Sequence, residues 1–416
     1  MKQFVVVIAG FCLLVSSAFA DFQAGIAVRS VMPDPLLPVS GGIGPSNPAT
    51  KALGELSVRA LALEDGETRV AIVSADFLGF PAALGNRVRK QIKDIPPQNI
   101  LIGVTHTHSA PDCYGFPDEQ GNVSTDLEYL DFVCQQMVEA IDEAVANLQP
   151  AKVKINTGDA AEKIAYNYYA PKLYDPRCHV MQFIADDGDA ISTLVNYAIH
   201  PEVLGAGQGV ISPDMVGPLY DRIQAQGGGV GIFMNSAQGG MVTADCRGPD
   251  GEDIQTWEEC IRIGALLADE ALRIVGKSQA VEEPGLYCAA TEITFPIDSP
   301  LLRAIVAASP LGYEMESGDT ISTQVNVINL GNAQVLTIPG EALPNIGYYL
   351  KRKMHGEHNF LFGLTNDAFG YILTKEDYDS FERYAYVTRT SLGEQTADIF
   401  ITEALKFVDQ CPRPEK

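Results

Sequence analysis

Positive charge is in short supply in this chain: 29 Lys and Arg stand against 53 Asp and Glu, for a net charge of −24 and a pI near 4.5. Such a surface repels phosphate backbones and anionic lipid headgroups, which excludes nucleic acid as a partner, while favouring solubility outside the cell. After the first twenty residues no apolar run approaches the ~18 residues of a membrane span, so no integral membrane segment is expected in the mature chain. No Cys-x-x-Cys pair occurs, which excludes a cysteine zinc site and a thioredoxin-type redox motif. The glycine-rich stretch 235–245 lacks the Gly-Lys-Ser/Thr ending of a phosphate loop. No linker, low-complexity tract or repeat divides residues 21–416, and a single domain is the simplest organisation. Histidine is scarce too, with only six residues to place.

The N-terminus carries Lys2, an apolar run from Phe4 to Val15, and small residues at Ala18 and Ala20, the pattern of a secretory signal peptide cut after Ala20. Export makes the mature protein secreted or periplasmic. Phe11 before Cys12 argues against a lipoprotein site. The seven remaining cysteines, Cys113, Cys134, Cys178, Cys246, Cys260, Cys288 and Cys411, allow up to three disulfides with one thiol left over. Cys113 is placed to pin the neighbouring histidine loop.

Alternation and turn residues predict three hairpins: 56–63 with 68–74 across Asp65-Gly66, 179–184 with 191–198 across Asp187-Gly188, and 320–329 with 334–338 across Leu330-Gly-Asn332. Further strands are expected at 22–31, 100–104, 152–155, 230–234, 286–297 and 360–364. Helices are expected at 81–92, after a Thr125/Glu128 capping box, through Ile223 following the segment 211–217, at 256–275 and at 390–408. The class is α/β, a mixed β-sheet core flanked by helices with the site at strand ends. The segment 32–48, rich in Pro and Gly, must be irregular, as mouths of active sites often are.

The chain is organised around Leu101-Ile-Gly-Val-Thr-His-Thr-His-Ser-Ala-Pro-Asp112, a buried strand running into two histidines one residue apart. Extended backbone would put both imidazoles on one face. Strands also deliver His200 and Glu341, and Tyr371 follows the strand at 360–364. Mixed His and carboxylate donors with an open position suit catalytic Zn2+, which lowers the pKa of bound water to about 7. His108 beside such an ion would shuttle a proton or steady the oxyanion. Structural roles compete: Glu341 caps the helix that follows, Tyr371 packs in the core, and His355 and His358 lie in an exposed loop. Asp76, Asp112 and Asp214 are either partners of the histidines or turn residues, and Tyr166, Tyr168, Tyr169 and Tyr174 line a cleft or cover a core.

The order His106-Thr-His108-Ser, Ile199-His200-Pro with Ile211-Ser-x-Asp214, Gly239-Gly-x-Val-Thr243, Ile338-Pro-Gly-Glu341 and Gly370-Tyr371-Ile-x-Thr374 resembles the neutral/alkaline ceramidase family, over Ala24 to about Thr374. The resemblance implies a zinc amidase cleaving the N-acyl bond of ceramide, with metal ligands at His106, His200, Glu341 and Tyr371 and His108 beside them. Three departures stand out. Gly240-Met-Val-Thr243 replaces the family's Gly-Asp-Val-Ser, so Thr243 takes the place of the catalytic serine. Asn167-Tyr168 replaces Asn-Arg. The resemblance covers the family's catalytic part, and no counterpart of the C-terminal immunoglobulin-like domain of authentic ceramidases is expected in residues 21–416. The expected substrate is a small N-acyl, sphingolipid-like molecule; the alternatives are a hydrolase of non-lipid amides or esters and a secreted binding protein that kept the fold.

Overall fold

The computed structural model describes residues 22–116, 123, 125–161, 163–313, 315 and 319–415; the expected signal peptide lies outside them. Eight strands form one mixed sheet: β1 (Gln23–Ser30), β2 (Ser57–Asp65), β3 (Thr68–Ala75), β4 (Ile100–Val104), β5 (Gln149–Asp159), β6 (Arg177–Ala185), β7 (Ala190–Tyr197) and β8 (Val230–Asn235). Their order is β8-β7-β6-β5-β1-β2-β3-β4, with β3/β4 and β7/β8 parallel. The second sheet is β9 (Leu286–Pro296), β10 (Thr320–Leu330), β11 (Ala333–Thr337) and β12 (His358–Phe362), with β11/β12 parallel. All three expected hairpins are present in these registers.

Helices cover the outer faces. α1 (Ala82–Arg89) and α2 (Leu127–Ala146) pack on the β1–β4 half through residues such as Leu84, Val88, Met137 and Ile141. α3 (Val216–Ala225) and α4 (Trp257–Val275) cover β6–β8. The two sheets meet face to face through Phe183, Met234, Ile328, Val335 and Phe360. α5 (Pro300–Ala308), which was not expected although Ser299 caps it and Pro300 opens it, lies beside Leu78 and Phe116. α6 (Pro344–Lys353) and α8 (Thr396–Gln410) back the second sheet, and the short α7 (Ala385–Arg389) precedes α8. The result is a helix/sheet/sheet/helix stack rather than one sheet between helices.

The large sheet curls until its edges approach. Ser74 Oγ donates to the Phe233 carbonyl, and Arg59 reaches the Gly231 carbonyl at 3.0 Å, so β3 and β2 touch β8 from the far side of the strand order. Strand ends that are distant in the order thereby converge.

Local chemistry shifts several boundaries. Asp126, not Thr125, caps α2 by accepting from the Tyr129 amide at 2.9 Å, while the Thr125 hydroxyl donates to Asp112. The closing helix expected over 390–408 starts only at Thr396, because Thr390 and Ser391 bond back onto the turn that ends α7. All seven described cysteines are free thiols, six of them buried, and Cys113 packs in the core without a covalent tie.

Asp76, which ends β3, is buried; its Oδ2 accepts from the Ser57 amide and hydroxyl at 2.8 and 2.9 Å. Burial pushes its carboxyl up to about 6, against the pull of Arg59 and the Ser57 donors. Its folded pKa exceeds the unfolded ~3.9, so its contribution to stability is full below pH 4 and is lost as the pH rises through 6. Asp76→Asn keeps the acceptor for Ser57 and removes this titration. In urea melts at pH 4.5 and 7, the variant should lose about 2 kcal/mol less between the two than wild type does; identical pH slopes would refute the assignment.

Candidate functional site

β4 is buried along its whole length because both faces are covered, and its last residues hand the chain to the histidine loop. The backbone does not stay extended there: His106 has φ 70°, a left-handed conformation uncommon for a side chain of this size. The two imidazoles still meet, with ring centroids 4.9 Å apart and planes at 90°. The turn, not strand alternation, sets their geometry.

Two backbone carbonyls orient two of the rings. His106 Nδ1 lies 2.5 Å from the Leu78 carbonyl and His200 Nδ1 lies 2.9 Å from that of Val242. An Nδ1–H donated to a carbonyl leaves Nε2 with its lone pair. Both Nε2 atoms face Glu341 Oε2, at 3.4 Å from His106 and 3.1 Å from His200. Asp76, Asp112 and Asp214 therefore do not orient the rings. Asp112 instead accepts from the Tyr114 and Phe116 amides, and Asp214 from the Leu204 and Met215 amides, pinning the loops that follow each histidine.

Glu341 leaves the second sheet after Pro339-Gly340, and its amide donates to the Gly370 carbonyl at 2.8 Å. Gly239 lies so close that an added Cβ would sit 2.1 Å from the Glu341 carbonyl oxygen, which explains a small residue there. Glu341 is the parallel register partner of Tyr371. The Tyr371 hydroxyl donates to Met241 Sδ at 3.2 Å, so the structure brings this predicted ligand next to the cluster with its hydroxyl engaged elsewhere.

His108 joins the other two histidines: its ring lies 5.6 Å from that of His200, and one nitrogen from each of the three falls within 4.8 Å of the others. Its Nδ1 is 3.5 Å from Glu202 Oε2, and its buried Nε2 has no hydrogen-bond partner. Thr243 forms a parallel bridge with His200 but is not among the residues lining the adjoining cleft.

Charge is distributed unevenly. Burial alone would raise the Glu341 carboxyl, but the facing His106 and His200 hold it well below the usual range. Burial disfavours charge on His200, yet Glu341 and Glu202 raise its pKa. Burial, with His106 and His200 adding to it, holds His108 well below 6.5 and neutral. Two nitrogen lone pairs pointing at a carboxylate oxygen, beside a third imidazole with an unpartnered nitrogen, fit a divalent cation among them.

The cluster sits at the head of a cleft of about 770 Å3, counted to its open mouth. Ile43, Leu78, Phe116, Leu302, Ile305 and Phe369 make its walls apolar, with Tyr114, Tyr313 and Tyr386 among them. The aromatic group expected to line it does not: Tyr166 stacks under Arg247, and Tyr169 packs between Tyr168 and Tyr384.

Sequence reasoning missed Asn235. Its Nδ2 donates to the carbonyls of Thr105 and Ile199 at 3.0 and 2.7 Å, the residues immediately before His106 and His200. Its Oδ1 accepts from the Ile199 amide at 3.3 Å. An asparagine at the end of an apolar strand was the available signal.

Fold and site together define an α/β protein with a histidine–carboxylate centre at the head of an apolar cleft. That fold is also found in neutral ceramidase from Pseudomonas aeruginosa, with a TM-score of 0.74 and 16% identity over 95% of this chain and 76% of that one. A ceramidase complexed with C2 matches similarly, with a TM-score of 0.73 and 15% identity over the same shares. No family model matches the sequence.

Asn235→Leu would strand two buried carbonyls and part the histidine-bearing turns. It should cost about 3 kcal/mol of unfolding free energy in urea and broaden the histidine ring signals in NMR spectra. A change below about 0.5 kcal/mol would show that Asn235 does not hold these turns.

Proposed function

We propose that this chain is an exported zinc-dependent amidohydrolase that cleaves the N-acyl bond of a lipid-like amide, of which N-acylsphingosine is the model. The observation that carries this reading is the apolar cleft opening directly on His106, His108 and Glu341, with His200 buried behind them. A short polar pocket would have favoured a non-lipid amide or ester, whereas these walls suit a hydrocarbon chain. Among the described residues no helix is long and apolar enough to cross a membrane. The fold shared with the ceramidase structures supports the same chemistry.

In this reading His106, His200 and Glu341 would hold the ion, and Tyr371 would have to release Met241 to serve as a fourth ligand. When bound, zinc supplies Lewis acidity and a nucleophile at neutral pH. The cleft walls bind the acyl chain and exclude bulk water. The two backbone carbonyls keep His106 and His200 in the tautomer that presents Nε2. His108, neutral and with a free buried Nε2, accepts the proton released as water adds to the amide carbon. It returns that proton to the nitrogen as the C–N bond breaks, releasing amine and carboxylic acid. Water is the nucleophile in this reading, and the Thr243 hydroxyl, on the residue bridged to His200 through the backbone, is the alternative.

Elemental analysis of the purified protein should find about one zinc per chain, lost in His106→Ala. Hydrolysis of a fluorogenic N-acylsphingosine should disappear on chelation and return with zinc. His108→Ala should keep the metal and lower kcat by about 10²- to 10⁴-fold. Zinc without hydrolysis of any amide would favour a binding protein; protein that takes up no zinc when offered it would overturn the proposal.

A further inference from the structure

Asp367 is a second carboxylate in the cleft wall, and the proposed reaction does not use it. The side chain is 2% exposed. Its Oδ1 accepts from two amides, Ala82 at 3.1 Å and Ala368 at 3.0 Å, and so closes the first turn of α1 from a remote loop. Its Oδ2 is buried and has no hydrogen-bond partner. The Thr323 hydroxyl, just beyond full hydrogen-bonding distance, is the neighbouring donor and lowers the carboxyl pKa. Arg89 also acts on this carboxylate through space, but its guanidinium donors go to the Ile100 carbonyl, Asn86 and Asn366. Fold stability needs one oxygen of Asp367, and that oxygen is taken.

The other oxygen matters when the cleft fills. Buried polar atoms in native proteins are overwhelmingly paired, and an unpaired acceptor against hydrocarbon is costly. A purely apolar chain in this cleft would leave Oδ2 with only the loosely placed Thr323 hydroxyl to accept from. A chain carrying a hydroxyl or an N–H at the right depth would satisfy it. Resting on the reading of the cleft as a substrate site, the geometry points to Asp367 as a specificity-determining residue whose free oxygen accepts a hydrogen bond from a hydroxyl or N–H donor on the substrate, away from the scissile carbonyl.

Asp367→Asn tests this, because asparagine keeps an acceptor for Ala82 and Ala368 and puts an NH2 donor in place of Oδ2. Matched N-acyl amides would be compared, with and without one hydroxyl on the acyl chain and with and without one on the amine portion. Wild type should favour the hydroxylated member of at least one pair by about tenfold or more in kcat/KM, and Asp367→Asn should abolish or reverse that ratio. Calorimetric binding of an unreactive long-chain amino alcohol and its deoxy analogue reads the same preference without turnover. If Asp367→Asn melts early, Thr323→Val serves as the second variant: a retained preference there supports Asp367 as the acceptor. No preference in wild type, or an equal preference in Asp367→Asn, overturns the inference. Hydrolysis without preference defeats the anchor alone, whereas a binding preference lost in the variant without hydrolysis of any amide supports the anchor and defeats the proposed reaction.

Discussion

The carboxamide of Asn235 is the interaction on which the rest of the site depends. It sits at the end of β8 and bonds the chain just before each of two histidines that lie 94 positions apart in sequence. Because the large sheet curls, β4 and β7 end within reach of this one side chain although five strands separate them in the sheet order. A flat sheet would hold those ends far apart. Curl and carboxamide together convert a long-range topology into a local geometry, and Glu341, arriving from the second sheet, completes it.

The polar cluster and the apolar cleft also need each other. In a water-filled pocket, three imidazoles and a carboxylate would interact weakly through a high dielectric. Walls of Ile43, Leu78, Ile305 and Phe369 keep the dielectric low, so each charge in the cluster strongly biases its neighbours. This is why His200 and His108, alike in sequence, are driven in opposite directions. The positive φ of His106 belongs to the same economy: tight loop closure at a strand end is tolerated where the surrounding contacts over-determine it.

Much of this was legible in the residues. The hairpins at Asp65-Gly66 and Asp187-Gly188, the long amphipathic α2 and α4, and the strand feeding His106 all follow from period and turn chemistry, which are local. His106, His200 and Glu341 were legible as a set because apolar strands end next to them. What escaped depends on distance or on competition. Asn235 acts across 130 positions on Thr105. The choice of Tyr114, Tyr313 and Tyr386 over Tyr166 and Tyr169 as cleft residues depends on which loops the two sheets bring together. α5 is short, and its signal lay in Ser299 and Pro300 at its start, a cap-and-proline pair that sequence reasoning passed over. The break before α8 lies in side-chain bonds from Thr390 that compete with continued helix. Counting cysteines suggested disulfides, but even those that share an apolar cluster remain thiols, and pairing cannot be read from number alone.

Those seven thiols have a chemical consequence of their own. Burial raises every one of them, Cys134 to about 11 and Cys246 and Cys288 to about 12, so at neutral pH almost none is present as the thiolate that attacks electrophiles and oxidants. The folded chain is thus chemically quiet toward alkylating reagents, and each cysteine recovers ordinary reactivity only when its own core opens. The clusters around Cys113 and Cys134, around Cys178, Cys246 and Cys260, and around Cys411 therefore carry built-in clocks for the separate opening of each part of the molecule.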